Sequence, residues 1–145
     1  LGTPTSRPFW FYTRIDFGNF YDGDRLSSSL ILRGNISKNF EFETTYKYNQ
    51  VNFSKRNQEF TNHIGRLRAL IMFNTQLPLS SYIQYNSATE SISSNIRFRY
   101  NPGEGHDLYL VYNQSSLMDE NPIADINPDN KYWTLMLKYN YTFKF

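Results

Sequence analysis

The sequence predicts an all-β fold: an antiparallel transmembrane β-barrel with about eight strands in this chain, or the C-terminal part of a larger one. Three observations lead there. The last segment, residues 131–145, alternates without a break. Trp133, Leu135, Leu137, Tyr139, Tyr141, Phe143 and Phe145 make one set, and Tyr132, Thr134, Met136, Lys138, Asn140, Thr142 and Lys144 the other. Successive side chains of a strand point to opposite faces, so the first set forms a wholly apolar and aromatic face. Aliphatic residues sit in its middle and aromatic rings toward its ends, the order wanted by a bilayer with a hydrocarbon centre and amphipathic interfaces. The twelve residue steps from Trp133 to Phe145 cover about 30 Å of membrane normal at a tilt of about 40°.

The second observation is that the chain is polar on average yet rich in aromatic residues. Its mean hydropathy is −0.62, while aromatic residues make up 18% of it. The longest apolar runs are short, such as Leu70-Ile71-Met72-Phe73 and Leu108-Tyr109-Leu110-Val111-Tyr112. A spanning helix needs about 20 apolar residues, whereas a barrel hides its apolarity in alternation. The third observation is the punctuation, since all six prolines are expected at strand starts or between strands, where no ladder donor is lost. The 145 residues suit one domain over the whole chain.

The strands follow in order. The first, about residues 8–21, sets Phe9, Phe11, Ile15 and Phe17 against Trp10, Tyr12, Arg14 and Asp16, and Asp22-Gly23-Asp24 reads as its hairpin turn. The second, about 25–36, alternates Leu26, Leu30 and Leu32 with Ser27, Ser29 and Arg33. The third, about 40–53, opposes Phe40, Phe42, Tyr46 and Tyr48 to Glu41, Glu43, Lys47 and Asn49. The fourth, about 63–75, opposes Leu67, Ala69, Ile71 and Phe73 to Arg66, Arg68 and Asn74. The fifth, about 79–87, has no decisive register. The sixth, about 91–100, sets Ile92, Ile96, Phe98 and Tyr100 against Asn95, Arg97 and Arg99. The seventh, about 106–114, is also open in register, and a one-residue slip would exchange its two faces. Links near residues 37–39, 76–78 and 102–105 are short, and those at 52–62 and 115–130 are long. If the C-terminus is periplasmic, both long links fall outside, as in outer-membrane barrels.

The polar faces carry the main chemistry. Arg14, Arg33, Lys47, Arg66, Arg68, Arg97, Arg99 and Lys138 are expected to face the lumen, with Asp16, Glu41 and Glu43 opposing them, a surplus of five positive charges. One reading is an Arg–carboxylate network filling a narrow barrel. The other is a cationic lining that favours anionic solutes, which needs a wider barrel. Trp133, Tyr139, Tyr141, Phe143 and Phe145 are expected at the membrane interface. No catalytic residue, cofactor or metal site is expected. His63 and His106 lie on different strands, no serine sits in a nucleophile motif, and the chain has no cysteine. The acidic segment 119–130 has oxygen ligands but not the spacing of a calcium loop. A net charge of +2 gives no reason to expect nucleic acid.

Several motifs, in order, carry a family resemblance. They are Gly18-Asn19-Phe20-Tyr21-Asp22-Gly23-Asp24-Arg25, Ile83-Gln84-Tyr85-Asn86-Ser87, the stretch Ser94-Asn95-Ile96-Arg97-Phe98-Arg99-Tyr100-Asn101-Pro102-Gly103-Glu104-Gly105-His106-Asp107-Leu108-Tyr109-Leu110-Val111-Tyr112-Asn113, and the aromatic C-terminus. Together they resemble the C-terminal β-barrel region of a family of large Gram-negative outer-membrane proteins. That family pairs an N-terminal domain like carbohydrate-binding module family 9 with a barrel of unassigned function. The resemblance implies a C-terminal fragment of a wider barrel in the bacterial outer membrane. It would be the embedded part of a glycan-related surface system with solute passage. Its partners would be the lipid bilayer, other outer-membrane subunits, and the barrel-assembly machinery, which would read the C-terminal strand. Two alternatives stand beside it, a non-conducting structural subunit and a soluble lipocalin-like barrel with its apolar face inward.

Overall fold

Period-two alternation broken by turn residues leaves one local solution, a strand between each pair of turns. The computed structural model describes residues 1–118 and 131–143, and there the chain forms eight strands and no helix. They are β1 (Phe9–Phe20), β2 (Gly23–Ser37), β3 (Phe40–Phe53), β4 (Gln58–Met72), β5 (Pro78–Asn86), β6 (Ser91–Gly103), β7 (His106–Leu117) and β8 (Lys131–Tyr141). All lie in one antiparallel sheet in sequence order, each paired with its neighbours along the chain. The sheet is not closed. β1 and β8 form its two edges, and no pairing joins them.

Several boundaries differ from the sequence expectation. The link placed at residues 52–62 is a tight turn over 54–57, because β4 begins at Gln58 and pairs with Phe53. Glu59, Thr61 and Asn62 look like loop residues by composition, but the β3 ladder continues past them. The proposed short-link and long-link asymmetry therefore rests on the β7–β8 link alone. The first hairpin turns at residues 21–22 rather than on Gly23. Tyr21 takes φ 57°, and Gly23 already pairs with Phe20. Gly23 is needed there because a Cβ would lie 2.2 Å from the Asn52 carbonyl oxygen. Pro102 falls inside β6, where the ladder is irregular between Tyr100 and Gly103, so it costs no regular pairing. Lys144 and Phe145 lie outside the described residues, and β8 ends at Tyr141.

The register assigns every strand a face. Following paired residues from β1 gives the row Phe9, Gly34, Phe42, Ala69, Ser81, Ile96, Tyr112 and Leu135. Residues paired this way share a face, so the apolar sets of all eight strands lie on one side. The two undecided registers are settled too. Leu79, Ser81, Ile83 and Tyr85 of β5, and Leu108, Leu110 and Tyr112 of β7, join the apolar face. The row begins at the first residue of β1 and ends in the middle of β8. Relative to the strand ends the row climbs six residues, from Phe9 to Leu135 against Tyr141, over the eight strands, equivalent to a strand tilt of roughly 30° from the normal to the line of strand ends.

Among the described residues, no large apolar side chain is buried, and the only buried polar one is that of Ser116. The sheet is a single layer, held by ladder hydrogen bonds and cross-strand side-chain pairs. The outer edge of β1 is partly covered by residues 1–3. Thr3 N–H donates to the Phe11 carbonyl at 2.9 Å, and Thr13 N–H donates to the Leu1 carbonyl at 2.7 Å.

Candidate functional site: the two faces of the sheet

On the apolar face the residues are sorted by height along the strands. At the end holding the β2–β3, β4–β5 and β6–β7 turns, aromatic rings gather: Phe9, Phe40, Phe42, Phe98, Tyr100 and Tyr139 among them. The middle is aliphatic, with Leu30, Leu32, Leu67, Ile83, Ile96, Leu110 and Leu137. Toward the opposite end come Phe17, Tyr46, Tyr48, Tyr85, Tyr112 and Trp133. Beyond these the same face turns polar at Asn19, Asp24, Asn52 and Glu59. Each aromatic band is anchored by a histidine. His63 Nδ1 shares a 2.7 Å hydrogen bond with the Tyr46 hydroxyl, and its ring lies 5.1 Å from that of Tyr48. His106 Nδ1 shares a 2.8 Å hydrogen bond with the Tyr139 hydroxyl, and its ring lies 4.7 Å from that of Tyr141. The two histidines are at opposite ends of the face, and neither is paired with a carboxylate among the described residues.

Of the residues expected at a membrane interface, Trp133, Tyr139 and Tyr141 share this face of β8. Trp133 is 67% exposed. Phe143, just past the strand, stacks edge-on against Tyr141 at 4.5 Å. Phe145 lies outside the described residues, as does the acidic segment 119–130.

The opposite face collects the charge. Pairing places Arg14, Asp16, Arg33, Glu41, Glu43, Lys47, Arg66, Arg68, Arg97, Arg99 and Lys138 all on it. Arg25 and Asp107 also belong there. Sequence reading passed over them because Arg25 was taken as the start of its strand and the seventh strand had no settled register. Alternation through Leu108 and Leu110 was the available signal for Asp107. Among the described residues, nine cations then face four carboxylates, again a surplus of five.

Every carboxylate on this face is held by an arginine. Arg14 Nε donates to Asp16 at 2.7 Å, and Arg33 reaches Glu41 at 2.6 Å and Glu43 at 3.8 Å. Arg99 Nη2 meets Asp107 at 2.6 Å while the Asn101 amide donates to the same oxygen at 2.9 Å. The remaining cations have no acid partner among the described residues. Arg25 lies over the Phe20 ring at 5.7 Å, and Arg66 Nε donates to the Gln84 side-chain carbonyl at 2.8 Å. Lys47, Arg68, Arg97 and Lys138 form no ion pair with any described residue. The surplus therefore takes the form of specific uncompensated side chains.

No group of three or more His, Asp or Glu among the described residues could hold a metal ion. The charged face instead offers hydrogen-bond donors of fixed positive charge, together with serine, threonine, asparagine and tyrosine groups. No family model matches the chain, and no curated protein or solved structure matches it significantly.

Proposed function

We propose that the chain is the wall of an outer-membrane β-barrel, with its apolar face against lipid and its polar face lining a wet interior through which solutes pass. One observation carries the reading: a single-layer sheet whose apolar face is uncovered and ordered as aromatic, aliphatic and aromatic bands. A sheet with one apolar face needs a second apolar layer, and exposed patches this large mark partner or membrane surfaces. From Trp133 to Tyr141 the bands span about 20 Å at the estimated tilt, close to the apolar height of outer-membrane barrels. The stagger supports the same reading, because strands in a barrel wall must tilt. Free strand edges are costly in hydrocarbon, so the membrane form would close β1 and β8 with further strands. The motif resemblance points to a glycan-related surface system as its setting.

The two tryptophans test the reading. Trp133 is on the apolar face and Trp10 on the polar one. In liposomes of lipids brominated near the glycerol end of the acyl chains, the Trp10→Phe protein should lose most of its fluorescence. The Trp133→Phe protein should stay bright. Quenching of neither protein, or full solubility without detergent, would overturn the reading in favour of a soluble ligand-binding barrel with its apolar layer inward.

A second reading has its own support. The Arg14–Asp16, Arg33–Glu41 and Arg99–Asp107 pairs are the kind of network that fills a non-conducting structural barrel. Ion conductance across planar bilayers separates the two readings.

A further inference from the structure

β5 carries no charged residue, yet the strands on either side of it present arginines to the polar face. Arg66 pairs with Gln84, Arg68 with Tyr82, and Arg97 with Ser80, so three guanidinium groups flank a strip of hydroxyl and amide side chains. With strands about 4.8 Å apart and a rise of about 3.3 Å per residue, the Cα atoms of Arg68 and Arg97 lie roughly 12 Å apart. Two extended arginine side chains are together long enough to bridge that gap on the face of Ser80 and Tyr82.

The cluster has no internal counter-charge. Glu43 pairs with Arg68 across the ladder but makes its ion contact with Arg33. Arg68 and Arg97 have no ion pair among the described residues, and both are exposed. Gln84 does make contacts: its side-chain carbonyl accepts from Arg66 Nε and from the Tyr82 hydroxyl, each at 2.8 Å. That fixes Arg66 at one nitrogen and leaves its other donors without a hydrogen bond to any described residue. Arg66 and Arg68 share one face of β4 and Arg97 faces them across β5, and their mutual repulsion is a cost that a bound anion would offset. Guanidinium forks match oxyanions in geometry as well as charge.

We infer that Arg66, Arg68 and Arg97, over Ser80 and Tyr82, form a binding site for small oxyanions of two or more negative charges. Under the proposed membrane reading this site is a selectivity station for anionic solutes. That role rests on the membrane reading, whereas binding itself does not.

The test is equilibrium dialysis of labelled inorganic pyrophosphate against the full chain in detergent micelles, at fixed ionic strength. Wild type should bind saturably. Arg68→Gln/Arg97→Gln should weaken binding by about tenfold or more, and Lys38→Gln, in the β2–β3 turn, should not change it. No saturable binding, or equal loss in the Lys38 variant, would overturn the site. A second measurement needs no variant. Pyrophosphate should slow phenylglyoxal modification of Arg68 and Arg97, read by peptide mass, and leave Arg7 and Arg25 unaffected. Uniform protection, or none, would also overturn it. If pyrophosphate binds but Trp133 is not quenched by brominated lipid, the site stands and the membrane reading falls.

Discussion

At the scale of single residues, Gly34 shows how a ladder position is decided by its neighbours. It lies between Phe9 and Phe42 on the apolar face, and a Cβ there would fall 2.6 Å from the Phe9 ring and 2.5 Å from the Phe42 ring. Both rings lean over the glycine, covering a position with no side chain of its own. Gly34→Val should therefore lower stability by about 1–3 kcal/mol through overpacking, read from urea unfolding in micelles. Gly65 provides the control. It lies between Tyr46 and Tyr85 on the same face, but nothing lies within 4 Å of its would-be Cβ. Gly65→Ala should be nearly neutral, and equal losses at the two sites would show that backbone freedom, not ring packing, sets the effect. Neither role was legible in the sequence, because the rings over Gly34 come from strands on both sides of it.

At the scale of elements, the two faces of one strand can be weighed directly. Leu110 and Val111 are consecutive in β7 and point to opposite faces at nearly the same height. With the apolar face in lipid, Leu110→Arg near mid-height should cost about 2–4 kcal/mol. Val111→Arg, beside the existing cations, should cost far less. The readout is guanidinium unfolding from liposomes, and a larger loss for Val111→Arg would reverse the assignment of faces. The strands themselves were readable in advance because alternation is local: β3 matches its expected bounds, and β5 and β6 start within one residue of theirs. β4 was misplaced because Gln58, Glu59 and Thr61 look like a loop, and only pairing with β3 shows that they continue the strand. Turn chemistry was nearly right at the first hairpin and off by one residue, since Tyr21 accepts a positive φ so that Gly23 can sit against Asn52.

At the scale of the whole molecule, closure of the sheet decides between the two readings. β1 and β8 lie at opposite edges of the sheet with no pairing between them. Cysteines introduced at Ile15 of β1 and Leu137 of β8 report on it. In micelles under mild oxidation, the double variant should form no intrachain disulfide, because the crosslink needs Cα atoms within about 7 Å. Efficient intrachain crosslinking would instead mean that the eight strands close on themselves. A closed eight-stranded barrel has room for little beyond its own side chains, so that result would favour the non-conducting reading over solute passage.

The sequence alone determined the strand-by-strand alternation, the sorting of aromatic and aliphatic residues along the final strand, and the charge surplus of the polar sets. Each depends on the two-residue period of an extended backbone, which is written locally. Tertiary structure decided what depends on which strand lies beside which. Pairing brought the faces of β5 and β7 into register and placed Arg25 and Asp107 with the other charges. It gave Arg33 to Glu41 and Glu43 and left Arg68 and Arg97 without a carboxylate among the described residues. It also kept the edges of β1 and β8 apart. A ladder joins residues distant in sequence through backbone groups common to every amino acid, so their partners cannot be read from side-chain pattern alone.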